Sequence, residues 1–439
     1  MLSLLLSLTL ASTPADEVRR ALADVVLLAE EERATTRYAT LYNVPKGERE
    51  VTAAVVGYLL NAVSHSATIV RPAEVEKGPR LLRFDLRWYG LSAEQWEDLI
   101  RDEPYFRAAA PAAGEDNGYA DGGWIDSEQA ATLRQLCHSQ GPIVRADWLV
   151  SRISVPPAYY DLAGVAETRG QWYADLGVDP RQVVELKANH GANILRSGVT
   201  RQVRRVSRWQ GTLGGVWQTY DVSGSGPGKD PFRDPTFDGR GFNFEAGEMI
   251  AAKSNGLHLF ALYDAAGRRQ DAVPDRIAKD DSDPLGDGII VPLLSCVRCH
   301  VEDGLRPVQN DQRTLLSRGV DLYAKSPDLA QRLAEFYGGP HLDRDIVRDR
   351  QDYAAAVQRA CGLTPAELSA SLAGVYREYV YELVTPDMAA RGVGTAAEEL
   401  PRLFRASHDP VLLSLAVGLS VQREQWIAAF AETAVLAAE

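Results

Sequence analysis

The stretch EMIAAKSNGLHLFALYDAAGRRQDAVP, residues 248–274, decides the fold class. Apolar residues alternate on either side of Asn255-Gly256, a pair that readily takes the positive φ angles of a tight hairpin turn. The run DAAG, Asp264 to Gly267, supplies a second turn, so three antiparallel strands are expected here. Before them, SGSGPGKDPFRDPTFDGRGF (223–242) is a loop rich in glycine and proline. Its GPGKD resembles a phosphate-binding loop only superficially: the spacing is wrong, and Asp230 stands where Ser or Thr would have to bind magnesium.

Outward from this hairpin the patterns change. From Ala15 to about His65 the apolar spacing is helical, in DEVRRALADVVLLAEEERATTRY (16–38) and GEREVTAAVVGYLLNAV (47–63). SATIVRP (66–72) and RLLRFDLRWYGL (80–91) alternate as half-buried strands do, and Ser92 three residues before Gln95 has capping-box spacing. Residues 107–125 read as a surface loop or domain boundary. The tail, residues 311–439, reads as almost wholly helical, with breaks at Gly-Gly-Pro, Gly362 and RGVG. The arginine run RQVRRVSR (201–208) reads as a solvated helix face. The fold class is therefore α+β: an N-terminal helical part (16–125), a mixed central region with an antiparallel hairpin sheet (126–290) and a largely helical C-terminal part (291–439).

The chain has 439 residues and a formal net charge of −13, with 45% hydrophobic and 24% charged residues. A charge of that sign argues against a nucleic-acid partner, which demands a basic patch. Residues 1–15 have the shape of a secretory signal: a short apolar core from Leu2 to Leu10, then small residues ahead of Asp16 and Glu17. No Lys or Arg precedes the apolar run, and cleavage after Ala11 or after Ala15 is equally loose. The expectation is export to the periplasm or beyond. No later stretch is long and apolar enough to span a membrane.

The chemistry concentrates in SCVRCH, residues 295–300. Two thiols three residues apart reach both vinyl groups of one porphyrin, and an imidazole at the next position can coordinate its iron. Cys296, Cys299 and His300 meet these demands. The rival is zinc, with Cys296 and Cys299 as one half of a tetrahedral site and Cys137 with His138 as the other. That pairing leaves His300 without a role and lacks a second chelating spacing. A thioredoxin-like redox pair lacks its βαβ surroundings. For the far side of a haem iron Met388, in TPDMAARG, is the candidate; Met249 reads as a core residue on a strand, and His258, His341 and His408 are alternatives. Cys137 and Cys361 are either bridged or two buried apolar thiols.

RLLRFDLRWYG, WEDLI and EPY, then VRADWLVSRISVPPAYYDL, the 248–274 hairpin and SCVRCH occur in this order. That ordered set resembles a group of exported bacterial monohaem cytochrome-c-domain proteins of no settled role. The likeness runs from about residue 36 to the C-terminus and departs at GVTRQVRRVSRWQGTLGGVWQTYDV (198–222), where only Trp217, Tyr220 and Asp221 look familiar. It implies haem attachment at Cys296 and Cys299 and ligation by His300, and it implies no reaction. The resulting expectation is an exported c-type cytochrome with one covalent haem c, transferring single electrons with a redox partner that the sequence does not name. The alternatives are a haem enzyme with an open distal position, of peroxidase or small-molecule oxidase type, and a zinc protein. Whether the chain is an enzyme stays open.

Overall fold

The computed structural model describes residues 13–106, 128–179, 190–196, 200, 202–232, 242–280, 283, 286–301, 303–318 and 327–436. The loop expected at 107–125 and residues 1–12 of the secretory signal expected at 1–15 lie outside these residues; Thr13 caps and Pro14 and Ala15 begin the helix Pro14–Val25. The fold is α+β, with two sheets among many helices. By contact the chain divides into two units. The first comprises residues 1–57, 71–152 and 374–439, the second 58–70 and 153–373. Among the described residues no helix is long and apolar enough to cross a membrane.

The first unit holds a four-stranded sheet of β1 (Thr36–Thr40), β2 (Ala73–Glu74), β3 (Leu81–Asp85) and β4 (Ile143–Arg145), in the order β2-β3-β1-β4. β1 runs antiparallel to β3 and parallel to β4. It lies where a continuous helical reading had been expected. The Thr-Arg-Tyr-Ala-Thr sequence favours a strand, and pairing on both edges buries all five of its residues. Buried Arg37 donates through Nη1 to the main-chain carbonyls of Ala34, Thr36 and Cys137. The helix Ala93–Leu99 starts with the anticipated box: Ser92 Oγ accepts from Gln95 N, and Gln95 Oε1 accepts from Ser92 N. Such a cap contributes about 1 kcal/mol.

The second unit is built on a five-stranded antiparallel meander of β5 (His190–Ile194), β6 (Arg204–Gln210), β7 (Gly215–Tyr220), β8 (Ala246–Ala252) and β9 (His258–Asp264). The β8–β9 hairpin turns at Asn255-Gly256, where Gly256 has φ +89°. The third strand expected after DAAG is reduced to bridges at Arg268 and Arg269, because the Asp264 carboxylate captures the Arg268 backbone N–H and guanidinium and closes the turn tightly. SATIVRP is not a strand either. Asn61 takes up the backbone of Val70 with its side chain, accepting at 3.1 Å and donating at 2.7 Å, so those groups are lost to any ladder.

Residues 204–208 of the arginine run lie in strand β6, not on a solvated helix face. Arg205 and Arg208 are buried, and Arg204 is largely so. Arg204 is paired with Asp221, and Arg208 with Asp345 and Asp349. The partners of Arg208 lie far along the chain, so no local pattern reveals them. In a sheet opposite residues share a face. The observed register therefore puts Ile194, Arg204, Val206, Arg208, Trp217, Glu248, Ile250, His258 and Phe260 on one face. The helix His341–Cys361 packs over that face: Asp349 accepts from Trp217 Nε1 at 2.9 Å, and Tyr353 stacks on His258 at 4.2 Å.

Candidate functional site

The motif forms a short helix, Leu294–Cys299, with His300 as its C-cap. Leu293, which precedes it, has φ +65°, a conformation that costs a non-glycine residue about 1–2 kcal/mol. The turn is held regardless. Leu293 is completely buried, Leu294 N donates to Ser154 O at 3.1 Å, and Ser295 Oγ accepts from Val291 N at 3.0 Å. Inside the motif Arg298 is paired with Asp280 and Asp283, which fixes the helix from its outer side.

Helical spacing puts residues i, i+3 and i+4 on one side, and here those are Cys296, Cys299 and His300. All three line a single cavity of about 320 Å³, within the range of about 300–1,000 Å³ usual for small-molecule and cofactor sites. Its opposite wall is the sheet face defined above, through Val206, Trp217 and Ile250, with Ile290, Leu305 and Ile346 completing an apolar enclosure. Arg196, Arg204 and Arg306 supply the positive groups. Cys296 is buried and Cys299 half-buried. Burial, and then Glu248, push the Cys296 thiol well above its ordinary range. Burial, with Asp280 and Glu248, pushes Cys299 up to about 12. Both sulfurs are thus protonated thiols as they stand, and Cys299 donates toward Asp280 at 3.7 Å.

Glu248 lines the same cavity and is a candidate that no local sequence motif marks. Its Oε1 lies 3.5 Å from His300 Nε2. Burial works to raise its pKa, but the His300 imidazole, Arg204 and the Cys296 thiol outweigh that and hold the carboxyl at about 2. The available signal was period two: within strand β8, positions 248, 250 and 252 share the inward face, so a carboxylate there enters a largely apolar cavity. His300 Nδ1 is buried and has no hydrogen-bond partner.

The donor set fits a covalently attached porphyrin. Two thiols and an imidazole meet one apolar cavity, and the imidazole has an unpartnered buried nitrogen. Met388 lies on the helix Pro386–Val393, where its backbone N–H donates to Thr385 Oγ1; it belongs to the first unit, whereas the motif belongs to the second. Met249 is fully buried in β8, a core residue as its strand position predicts. His258 is buried on β9, and its imidazole is driven down to about 3 chiefly by burial. Cys137 and Cys361 are buried thiols not joined in a disulfide. Cys137 and His138, the proposed second half of a zinc site, lie in the first unit. Among the described residues no three His, Cys, Asp or Glu side chains gather to hold a metal ion. Searches of protein-family models, curated proteins and solved structures found no match.

Proposed function

We propose that the chain is an exported c-type cytochrome that carries one haem c and transfers single electrons. The observation that supports this reading is the convergence of Cys296, Cys299 and His300 on one apolar cavity. Cys296 and Cys299 would hold the porphyrin through thioethers, and His300 would take the proximal position at iron. The haem supplies a one-electron couple when bound. The residues around it do the tuning: apolar walls exclude water, while Glu248 and Arg204 place fixed charges beside the imidazole. Export is part of the proposal, because thioether attachment of this kind takes place outside the cytoplasm.

A Cys296→Ala/Cys299→Ala variant, produced alongside the wild type in a host competent for cytochrome c maturation, tests the attachment. The proposal expects haem that resists acid extraction in the wild type and none in the variant. Equal haem in both would end it. A second reading, haem-dependent oxidation of a small molecule, is favoured by the ionised Glu248 carboxylate inside the cavity. A high-spin ferric spectrum that shifts on adding cyanide supports that reading; a low-spin spectrum indifferent to cyanide supports the carrier.

A further inference from the structure

Glu248 stands on the sheet wall of the cavity, and His300 faces it from the end of the helix Leu294–Cys299. The β7–β8 pair holds the residue in place: Glu248 N donates to Thr219 Oγ1 at 2.9 Å. Its side chain is only 17% exposed. None of the sequence candidates for the far side of an iron, Met388, Met249, His258, His341 and His408, is among the described residues lining this cavity. Outside the motif, that described lining includes no Met, Lys or Tyr and no second His, and Glu248 is its one carboxylate.

A carboxylate on a largely apolar wall calls for a positive partner. Arg204 is committed to Asp221 through both Nε and Nη2. Among the described residues, only the His300 imidazole lies within ion-pair distance of Glu248, with Nε2 3.5 Å from Oε1, and it is a cation only when protonated. A histidine binds a metal as the neutral imidazole, so the step that makes His300 a ligand removes this compensation. A metal beside both groups restores it. Imidazole nitrogen and carboxylate oxygen bind a metal such as zinc at about 2 Å each, so two of them on opposite sides of one metal stand about 4 Å apart. The observed 3.5 Å is close to that separation.

We infer that Glu248 is the second protein ligand of the iron, on the side opposite His300. The inference rests on the haem attachment proposed above. An anionic oxygen ligand stabilises the ferric state over the ferrous one, so Glu248 lowers the reduction potential relative to a neutral sixth ligand. Its position on a paired strand also fixes where that ligand stands, whereas a loop residue would leave it free to swing away.

The test compares wild type, Glu248→Gln and Glu248→His, each matured with covalent haem and checked by the haemochrome assay. Imidazole is the probe at pH 8, where it is largely uncharged and so responds to an open iron position more than to a nearby fixed charge. Glu248→Gln should raise the reduction potential and bind imidazole at least tenfold more tightly in the ferric state. Glu248→His should show the low-spin spectrum of two imidazoles on one iron, and added imidazole should no longer change it. A carboxylate with a purely structural or electrostatic role would not be replaced by a working histidine ligand. Imidazole affinity unchanged in Glu248→Gln would overturn the ligand, as would a Glu248→His spectrum identical to that of the wild type. Either result on protein that carries covalent haem sinks the ligand alone. A wild type without covalent haem sinks the attachment, and the ligand with it.

Discussion

Glu248 and Arg208 are charged residues on the inward side of strands, where an isolated charge costs several kcal/mol unless it is compensated. Arg208 meets two carboxylates of the helix His341–Cys361, with Nε 3.0 Å from Asp349 Oδ2 and Nη1 3.3 Å from Asp345 Oδ2. Asp349→Ala would leave that guanidinium with Asp345 as its carboxylate partner and Trp217 Nε1 without its acceptor, and should cost about 1–3 kcal/mol in urea denaturation. A loss under about 1 kcal/mol would show that the pair contributes little. Glu245 has a different place, at the start of the sheet beside Lys229 and Ser223, whose hydrogen bonds hold it at about 2, below its usual 4.5. Between these values the unfolded chain binds more protons than the folded one, so stability rises with pH there. This contribution is complete above about 4.5 and is lost as pH falls through 2. Glu245→Gln should flatten the stability profile between pH 2 and 4.5 and leave its shape above pH 6 alone; an unchanged acid slope contradicts the assignment.

At the scale of elements, what could be read in advance depended on how local the cause is. The β8–β9 hairpin and the Ser92 capping box are specified by residues within a few positions of one another, and both form as their spacing predicts. β1 and β6 are strands against a helical local pattern because their decisive partners, β3 and β4 for β1 and the acids of a distant helix for β6, are set only by tertiary pairing. The same division applies to the candidate site. Cys296, Cys299 and His300 stand within five positions, whereas Glu248 and the sheet wall join them only when the meander folds. The hairpin gives a direct test. At Gly256 an added Cβ would meet Ala356 Cβ at 3.2 Å, and φ is +89°. Gly256→Ala should therefore cost about 1–2 kcal/mol. Gly47, with nothing within 4 Å of an added Cβ, is the control, and Gly47→Ala should change stability by less than about 0.5 kcal/mol. Equal effects at both sites would mean that the turn does not require its glycine.

For the whole molecule, the charge of −13 sets long-range behaviour. On the proposed function, the protein should be reduced or oxidised faster by a cationic small-molecule mediator than by an anionic one, and the difference should shrink as ionic strength rises and screening shortens. Stopped-flow mixing with hexaammineruthenium and with ferrocyanide measures this; rates independent of mediator charge would show that the surface charge does not reach the redox centre. The central claim concerns what the cavity beside SCVRCH holds, and the most direct measurement is a pyridine haemochrome assay with intact mass on protein matured in a c-type-competent host. The account predicts one haem per chain, a c-type haemochrome band, and a mass increase of one haem that survives acid extraction and maps to the peptide containing Cys296 and Cys299. A chain of unmodified mass with both thiols free to alkylation would contradict it.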